Sequence, residues 1–192
     1  MNKDACDTIK TRTAYHWLKE NNSVNKYYNY LKQKNKVKEE LWANVPNEVI
    51  DSVINKEISK KSLPEIFNGI DKLIGDKKID LIIGGPPCQA YSIVGRARDP
   101  KNMEDDPRNH LYKYYVEFLK KYQPKMFVFE NVPGILSAKN GEFLDKIFKA
   151  VKKEGYELSL PNNKYKVLNA KHFNVLQDRK RVIIIGWKKE LK

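Results

Sequence analysis

The first part of the chain carries the hydrophobic pattern of helices. Ile9, Ala14 and Trp17 recur at intervals of three to five residues, with polar side chains between them. This spacing places apolar side chains on one face of an amphipathic helix. Similar patterns predict helices over about 4–21, 24–31, 46–54 and 63–73. Residues 1–75 are therefore expected to form a mainly helical segment.

The pattern changes after residue 75, where short apolar runs alternate with helical stretches. The runs at 80–84, 126–129, 165–168 and 182–187 are rich in branched and aromatic side chains and predict strands, the first of them buried. Helices are predicted between them at 109–122 and 142–153. Strands that alternate with helices form parallel β/α units. Residues 76–192 are therefore expected to build an open, doubly wound α/β sheet.

A cysteine follows the first of these strands on a stiff turn. The apolar run ends at two glycines, and two prolines restrict the backbone immediately before Cys88. Ligands of open α/β sheets bind just beyond the carboxyl ends of the strands, where a thiol on a rigid turn can act as a nucleophile. The alternative is that Cys88 is a small apolar filler, because free cysteines are often buried.

Polar groups also follow the second strand and precede the last one. Glu130 comes directly after residues 126–129, and a parallel neighbour would bring its carboxyl to the sheet edge that carries Cys88. Arg179 and Arg181 lie just before the final apolar run. A thiol, a carboxyl and a guanidinium together suit attack on an electron-poor ring. The thiolate adds to the ring, the carboxylic acid supplies a proton or hydrogen bond to a ring nitrogen, and the arginine holds an oxygen in place.

The stretch from Gln89 to Asp106 has no sustained periodicity and is rich in turn formers and charges. A loop of this length inside a compact domain is usually functional or mobile. Its position after Cys88 suits a flap that closes over a substrate. Arg96 and Arg98 on this loop are candidates for phosphate contacts, and the alternative is that they meet only water.

Charge and composition narrow the classes of partner. The net charge of +13 and the sequence pI near 9.5 suit a polyanion, most simply nucleic acid, although lysines scattered over a solvated surface are the alternative. No run approaches the roughly 20 apolar residues of a membrane span, and the amino terminus lacks a secretory apolar segment. Two cysteines make no disulfide framework, which fits a reducing cytoplasm. Three widely separated histidines favour no metal site.

Five motifs occur in a recognisable order along the second segment. They are Gly85-Pro86-Pro87-Cys88-Gln89 with Ser92, Asp106-x-Arg108-Asn109-x-Leu111, Glu130-Asn131-Val132, Leu168-Asn169-Ala170 and Gln177-x-Arg179-x-Arg181. Their order and spacing resemble the cytosine-5 DNA methyltransferase family from about residue 79 to residue 187. The resemblance implies a Rossmann-like methyltransferase sheet with an extra helical segment at its amino terminus. It also implies S-adenosylmethionine as methyl donor, double-stranded DNA as partner and a restriction-modification setting.

The resemblance assigns a role to each matching position. Cys88 matches the nucleophile that adds to carbon 6 of a cytosine flipped out of the duplex. Glu130 matches the acid at ring nitrogen 3 and the exocyclic amine. Arg179 and Arg181 match the pair beside the base, with Arg181 the better candidate for orienting it. The cofactor-lining positions are Pro87 and Leu111, and the substrate-binding positions are Gln89, Ser92, Arg96, Arg108 and Asn131.

Some motifs of the family have no match. The glycine-rich cofactor turn and the acidic residue that binds ribose do not occur, and Glu65 or Asp71 stand in for the acid at adenine. Residues 1–75 would form part of the cofactor-side half, and the recognition region after Trp187 is missing. We therefore expect a catalytic-core portion, truncated or one subunit of a split enzyme, with a sheet edge beside residues 80–84 that is either exposed or covered by the extra helices. A second polypeptide would then be needed for more than weak methyl transfer.

Three other functions stay open at this point. An RNA cytosine-5 methyltransferase would use the same chemistry on another nucleic acid. A non-catalytic subunit of a split methylase would keep the motifs without turnover. A cysteine hydrolase would need a histidine base, and neither His110 nor His172 has an obvious place at a strand end.

Overall fold

The computed structural model describes residues 2–86, 111–159 and 167–191. These residues belong to two compact units, Met1–Lys77 and Lys78–Lys192. Each unit has its own hydrophobic core. Within the described ranges, no helix combines the length and the apolar character needed to cross a lipid bilayer.

The first unit is helical. It contains α1 (Lys3–Glu20), α2 (Asn25–Lys32), α3 (Lys38–Trp42), α4 (Asn47–Asp51) and α5 (Leu63–Ile74). The predicted helices are confirmed, although α4 ends at Asp51 rather than near residue 54. Helix α3 was not predicted, because its 5 residues are too few to show a helical period.

Side chains from three helices and one turn form the core of this unit. Ala14 and Leu18 of α1 are fully buried and belong to one cluster with Leu41, Val45 and Ile50. The two residues of α1 lie four positions apart and therefore share one helical face. The apolar period that predicted α1 therefore packs the second half of the helix, whereas Ile9 in the first half is 51% exposed.

The second unit is an α/β unit with a single main sheet. Its strands are β1 (Leu81–Gly84), β2 (Met126–Asn131), β3 (Tyr156–Ser159), β4 (Leu168–Asn169) and β5 (Lys180–Lys188), and its helices are α6 (Tyr112–Tyr122) and α7 (Glu142–Lys153). The strand order is β1-β2-β5-β3, and β4 pairs with β5 off this path. The predicted α/β class is confirmed.

The strands differ in direction. Strand β1 pairs parallel with β2, with Gly84 opposite Phe129. Strand β5 runs antiparallel to β2, β3 and β4. The antiparallel direction of β5 was not predicted. Its pairing with β4 is that of a hairpin, which needs no crossover helix.

The first strand is less buried than its apolar composition predicts. Leu81 is 46% exposed and Ile83 is 70% exposed. Strand β1 lies at the end of the strand order and pairs, among the described strands, with β2 alone. The prediction of a buried strand is therefore wrong for this face, whereas the predicted position at the sheet edge is confirmed.

Strand β3 was not predicted from the sequence. Its 4 residues alternate apolar Tyr156 and Leu158 with polar Glu157 and Ser159, a signal at the shortest length that can indicate a strand. Tyr156 is fully buried, and its hydroxyl donates to the carbonyl of Pro124 at 2.8 Å. Its ring meets that of Phe127 edge-on, with centroids 5.5 Å apart. One anchored aromatic side chain therefore fixes the strand.

Aromatic side chains also join α6 to the sheet. The ring of Tyr115 makes T-shaped contacts with Phe127 and Phe129 of β2, at centroid distances of 5.9 and 5.2 Å. Its hydroxyl donates to the carbonyl of Val128 at 3.1 Å, and burial raises the pKa of Tyr115. Helix α6 is thereby fixed behind β2, the strand that carries Glu130.

We expect Gly186→Ala to destabilise the second unit. Gly186 of β5 lies opposite Phe127, and a Cβ atom there would sit 2.1 Å from Cε1 of that ring. The buried ring has no room to retreat, so the free energy of unfolding in urea should fall by about 1–3 kcal/mol.

Gly69→Ala is the matched control. A Cβ at Gly69 meets only Cδ1 of Ile54 at 3.4 Å, and alanine is the better helix former within α5. This variant should be at least as stable as the parent chain. An unchanged urea midpoint in Gly186→Ala would show that Phe127 does not pack on the glycine.

Candidate active site

The site is built where β1 and β2 end side by side. The two strands are parallel neighbours, so their carboxyl ends meet at one edge of the sheet, as predicted. Strand β2 continues past the last paired residue of β1 into Glu130 and Asn131. The backbone that follows β1 continues into Gly85 and Pro86. The polar end of β2 therefore lies beside the turn that leads toward residue 87.

Two arginines hold the carboxylate of Glu130. Nε of Arg181 lies 2.6 Å from Oε1, and Nη2 of Arg179 lies 3.4 Å from the same oxygen. Within the described part of the chain, both contacts fall on Oε1, which leaves Oε2 for another donor. The three residues predicted to lie together therefore do so, and the two guanidinium groups contact one oxygen of the Glu130 carboxylate.

The two arginines are not equivalent. The side chain of Arg181 is 24% exposed, and its Nη1 also donates to the carbonyl of Lys180 at 2.7 Å. The side chain of Arg179 is 49% exposed and makes the longer contact with Glu130. An exposed ion pair is weakened by solvent and by side-chain entropy, so Arg181 holds the carboxylate more firmly.

Asn131 joins the ends of the two strands. It is 1% exposed, and its Nδ2 donates to the carbonyl of Pro86 at 3.2 Å. Its Oδ1 accepts from the backbone N–H of Val132 at 2.9 Å. One buried amide thus fixes the backbone on both sides of the site, and Cys88 follows Pro86 by two positions in the sequence.

Gly85 permits the close approach that the site needs. A Cβ atom at this position would lie 1.9 Å from the backbone oxygen of Glu130. Because the obstructing atom belongs to the backbone, no side-chain movement can relieve the clash. Sequence analysis recognised the two glycines as a strand stop but did not assign Gly85 this role.

A short hairpin delivers the arginines to the site. Strand β4 pairs with β5 so that Leu168 lies opposite Arg181. Asn169 is 5% exposed, and its Nδ2 donates to Oδ1 of Asp178 at 2.8 Å. Asn169 and Asp178 were not predicted as site residues, although Asn169 belongs to the Leu168-Asn169-Ala170 motif. Their hydrogen bond holds together the hairpin backbone that carries Arg179 and Arg181.

The remaining predicted positions fall into two groups. Leu111 is half-buried and lies directly before α6. The residues that lie outside the described ranges are Pro87, Cys88, Gln89, Ser92, Arg96, Arg98 and Arg108. Among the described residues, no three side chains of the types that ligate metals form a group that could hold an ion.

Comparison with known proteins gives consistent matches. A sequence model of the family described as C-5 cytosine-specific DNA methylase matches residues 33–192. The type II methyltransferase M.Bpa9945I of Bacillus paralicheniformis is 35% identical over 209 aligned residues, which cover 97% of this chain and 47% of that protein. M.XorII of Xanthomonas oryzae pv. oryzae is 42% identical over 118 residues, covering 62% of this chain and 26% of that protein.

A third relative gives the same result. M1.HphI of Haemophilus parahaemolyticus is another type II methyltransferase, 42% identical over 115 residues that cover 60% of this chain and 29% of that protein. The chain therefore spans less than half the length of each of these relatives.

We expect Asn131→Ala to loosen the site without unfolding the protein. The substitution leaves the partly buried carbonyl of Pro86 and the N–H of Val132 without the amide to which they hydrogen-bond. Its cost should be about 1–3 kcal/mol in the free energy of unfolding, measured in urea. Asn29→Ala, at an exposed position of α2, should change the same quantity by less than about 0.5 kcal/mol. Equal stability of the two variants would contradict the bridging role.

Proposed function

The chain belongs to the C-5 cytosine-specific DNA methylase family, and from this premise we propose that it carries the residues that methylate carbon 5 of cytosine in double-stranded DNA. The proposal is supported chiefly by the Glu130 carboxylate, which two guanidinium groups engage at the sheet edge beside Pro86. Such a cluster offers both an acceptor and donors to the polar edge of a cytosine. The nucleophile assigned to it is Cys88.

Glu130 and Arg181 recognise the base in this proposal. Cytosine presents an exocyclic amine that donates hydrogen bonds, and carboxylates accept from that amine in protein–DNA complexes. Oε2 of Glu130 supplies the acceptor, because Oε1 is engaged by the arginines. Arg181 donates to the carbonyl oxygen on carbon 2, which makes the ring more electron-poor. The base must leave the stack to reach these groups, because its reactive carbons are covered within the duplex.

Cys88 supplies the covalent step. Its thiolate forms a bond to carbon 6, and the electron pair of the double bond between carbons 5 and 6 then makes carbon 5 nucleophilic. Carbon 5 would take a methyl group from the sulfonium of the donor, whose sulfur–methyl bond breaks so that the donor leaves as a thioether. A base removes the proton from carbon 5, and the electron pair re-forms the double bond as the bond between carbon 6 and the Cys88 sulfur breaks.

The methyl donor of the family is S-adenosylmethionine, whose sulfonium supplies an electrophilic methyl group. Leu111 fits a place beside it, because its half-buried apolar side chain can cover an adenine ring or a thioether. Pro87 is assigned to the same pocket. The role of both residues is to exclude water and to position the donor.

Covalent trapping tests the proposed reaction. The chain is incubated with duplex DNA that contains 5-fluorocytosine and with S-adenosylmethionine, and adducts are detected by denaturing electrophoresis and mass spectrometry. Fluorine at carbon 5 cannot leave as a proton does, so the sulfur–carbon bond should persist. The adduct should map to Cys88.

Cys88→Ser and Cys6→Ser form the matched pair for this experiment. Cys88→Ser should give no adduct, whereas Cys6→Ser alters a buried cysteine of the first unit and should leave trapping intact. A folded parent chain that binds the duplex without an adduct would refute the catalytic assignment. Preferential trapping of transfer RNA that carries the same base would shift the substrate to RNA.

The two arginines should differ when each is replaced by lysine. Arg181→Lys removes the 2.6 Å contact with Glu130, and the rate of adduct formation should fall by about 10–100-fold. Arg179→Lys alters the longer and more exposed contact, and the rate should fall by less than about tenfold. Single-turnover measurements at saturating DNA compare the two. The reverse order would show that Arg179 is the residue that positions the base.

A further inference from the structure

The loop of the hairpin between β4 and β5 is unusually exposed. Every residue from 171 to 180 is exposed to solvent, although the residues on either side are partly or fully buried. Three of its apolar side chains share this exposure. Phe173 is 63% exposed, Val175 is 47% exposed and Leu176 is 108% exposed. Contiguous apolar side chains that face water mark an interaction surface.

The loop is nevertheless held in one shape. The buried Asn169 donates to Asp178 at 2.8 Å and accepts from the N–H of Lys171 at 3.3 Å. The N–H of Ala170 donates to the carbonyl of Arg179 at 3.0 Å, which closes the base of the loop. Asn174 adopts a left-handed conformation, with φ of 59°, just before Val175 and Leu176. The apolar tip is therefore presented by a constrained backbone.

The surroundings of the tip are strongly basic. Lys171, Arg179, Lys180 and Arg181 flank it, and Asp178 is the carboxylate within the same stretch. Lys171 lies 4.0 Å from Asp178, and both side chains are more than half exposed. An apolar tip between cations is poorly suited to a lipid interior or an apolar protein groove. It suits a polyanion that also offers apolar faces, which describes stacked bases between two phosphate backbones.

We propose that this hairpin tip contacts duplex DNA, with Leu176 as a wedge beside the extruded cytosine; this inference rests on the proposed function. Arg179 at the base of the hairpin reaches Glu130, so the tip belongs to the element that borders the base pocket. Removing a base from the stack leaves an apolar gap. Apolar side chains fill such gaps in other DNA complexes and stabilise the distorted duplex. Lys171 and Lys180 contact the phosphates on either side.

An affinity ratio tests the wedge without knowledge of the recognition sequence. Binding of the chain is measured by fluorescence anisotropy for an intact duplex and for the same duplex with one abasic site. The abasic duplex already contains the gap, so the parent chain should bind it about tenfold more tightly. Leu176→Ala should reduce that ratio to near one, because the side chain that fills the gap is gone.

Leu191→Ala is the matched control, because Leu191 is a leucine of the same unit and is 51% exposed. It lies beyond the opposite end of β5 and should leave both affinities unchanged. Lys180→Ala should weaken binding to both duplexes equally and reduce the slope of log affinity against log salt by about 1. Thermal melting of each variant reports its folding.

Each outcome decides for or against the wedge. Loss of the ratio in Leu176→Ala, with unchanged melting, supports it. The wedge is overturned if the parent chain binds no duplex or binds both duplexes equally. It is also overturned if Leu176→Ala keeps the same affinity ratio as the parent chain. A lower melting temperature in Leu176→Ala with an unchanged ratio also overturns it, because the leucine would then pack within the protein.

These measurements also separate the wedge from the proposed reaction. They record binding, so they do not depend on Cys88 or on the methyl donor. A chain that shows the Leu176-dependent ratio but forms no adduct would refute the catalytic role alone. A chain that forms the Cys88 adduct with an equal ratio in Leu176→Ala would refute the wedge alone.

Discussion

The close approach of two backbones at the carboxyl ends of β1 and β2 determines the rest of the site. Gly85 lies so near the carbonyl of Glu130 that a single added carbon would overlap it. Asn131 then fixes the next residue of the turn by its hydrogen bond to Pro86. Because both constraints act on the backbone, the carboxylate and the turn are positioned before any ligand arrives. Such preorganisation is the main means by which proteins stabilise developing charge.

The electrostatics of the site depend on a different part of the chain. Glu130 comes from β2, whereas Arg179 lies directly before β5 and Arg181 lies within it. The antiparallel pairing of β2 with β5 places Asn131 opposite Val182, and this register brings Arg181 beside the carboxylate. A shift of β5 by one residue would turn the arginine to the other face of the sheet. The core contacts of β5 therefore control the geometry of the charged groups.

The sequence predicted what depends on local pattern and on motif order. Four of the five helices of the first unit and the strands β1, β2 and β5 followed from periodicity. The grouping of Glu130 with Arg179 and Arg181 followed from motif order, because a parallel β5 would place the arginines at the opposite edge of the sheet. Interactions between distant segments were not predictable in this way. The direction of β5, the exposure of Ile83 and the packing of Tyr156 depend on partners more than 25 residues away.

The residues that position the site were the hardest to predict. Gly85 acts through a backbone contact, and Asn169 and Asp178 act through a hydrogen bond between their side chains. No composition rule assigns these roles. Their importance appears only when the distance between two chain segments is known. A motif can name the atoms that react, but the supporting contacts require the folded arrangement.

The exposed position of β1 has a consequence for handling the protein in solution. An edge strand offers backbone donors and acceptors to any extended peptide, and charged or proline residues usually protect such edges. Strand β1 has the sequence Leu-Ile-Ile-Gly and carries neither safeguard within its 4 residues. Self-association through this strand would increase with protein concentration. Dilute conditions, or the substitution Ile83→Lys, would therefore favour the monomer.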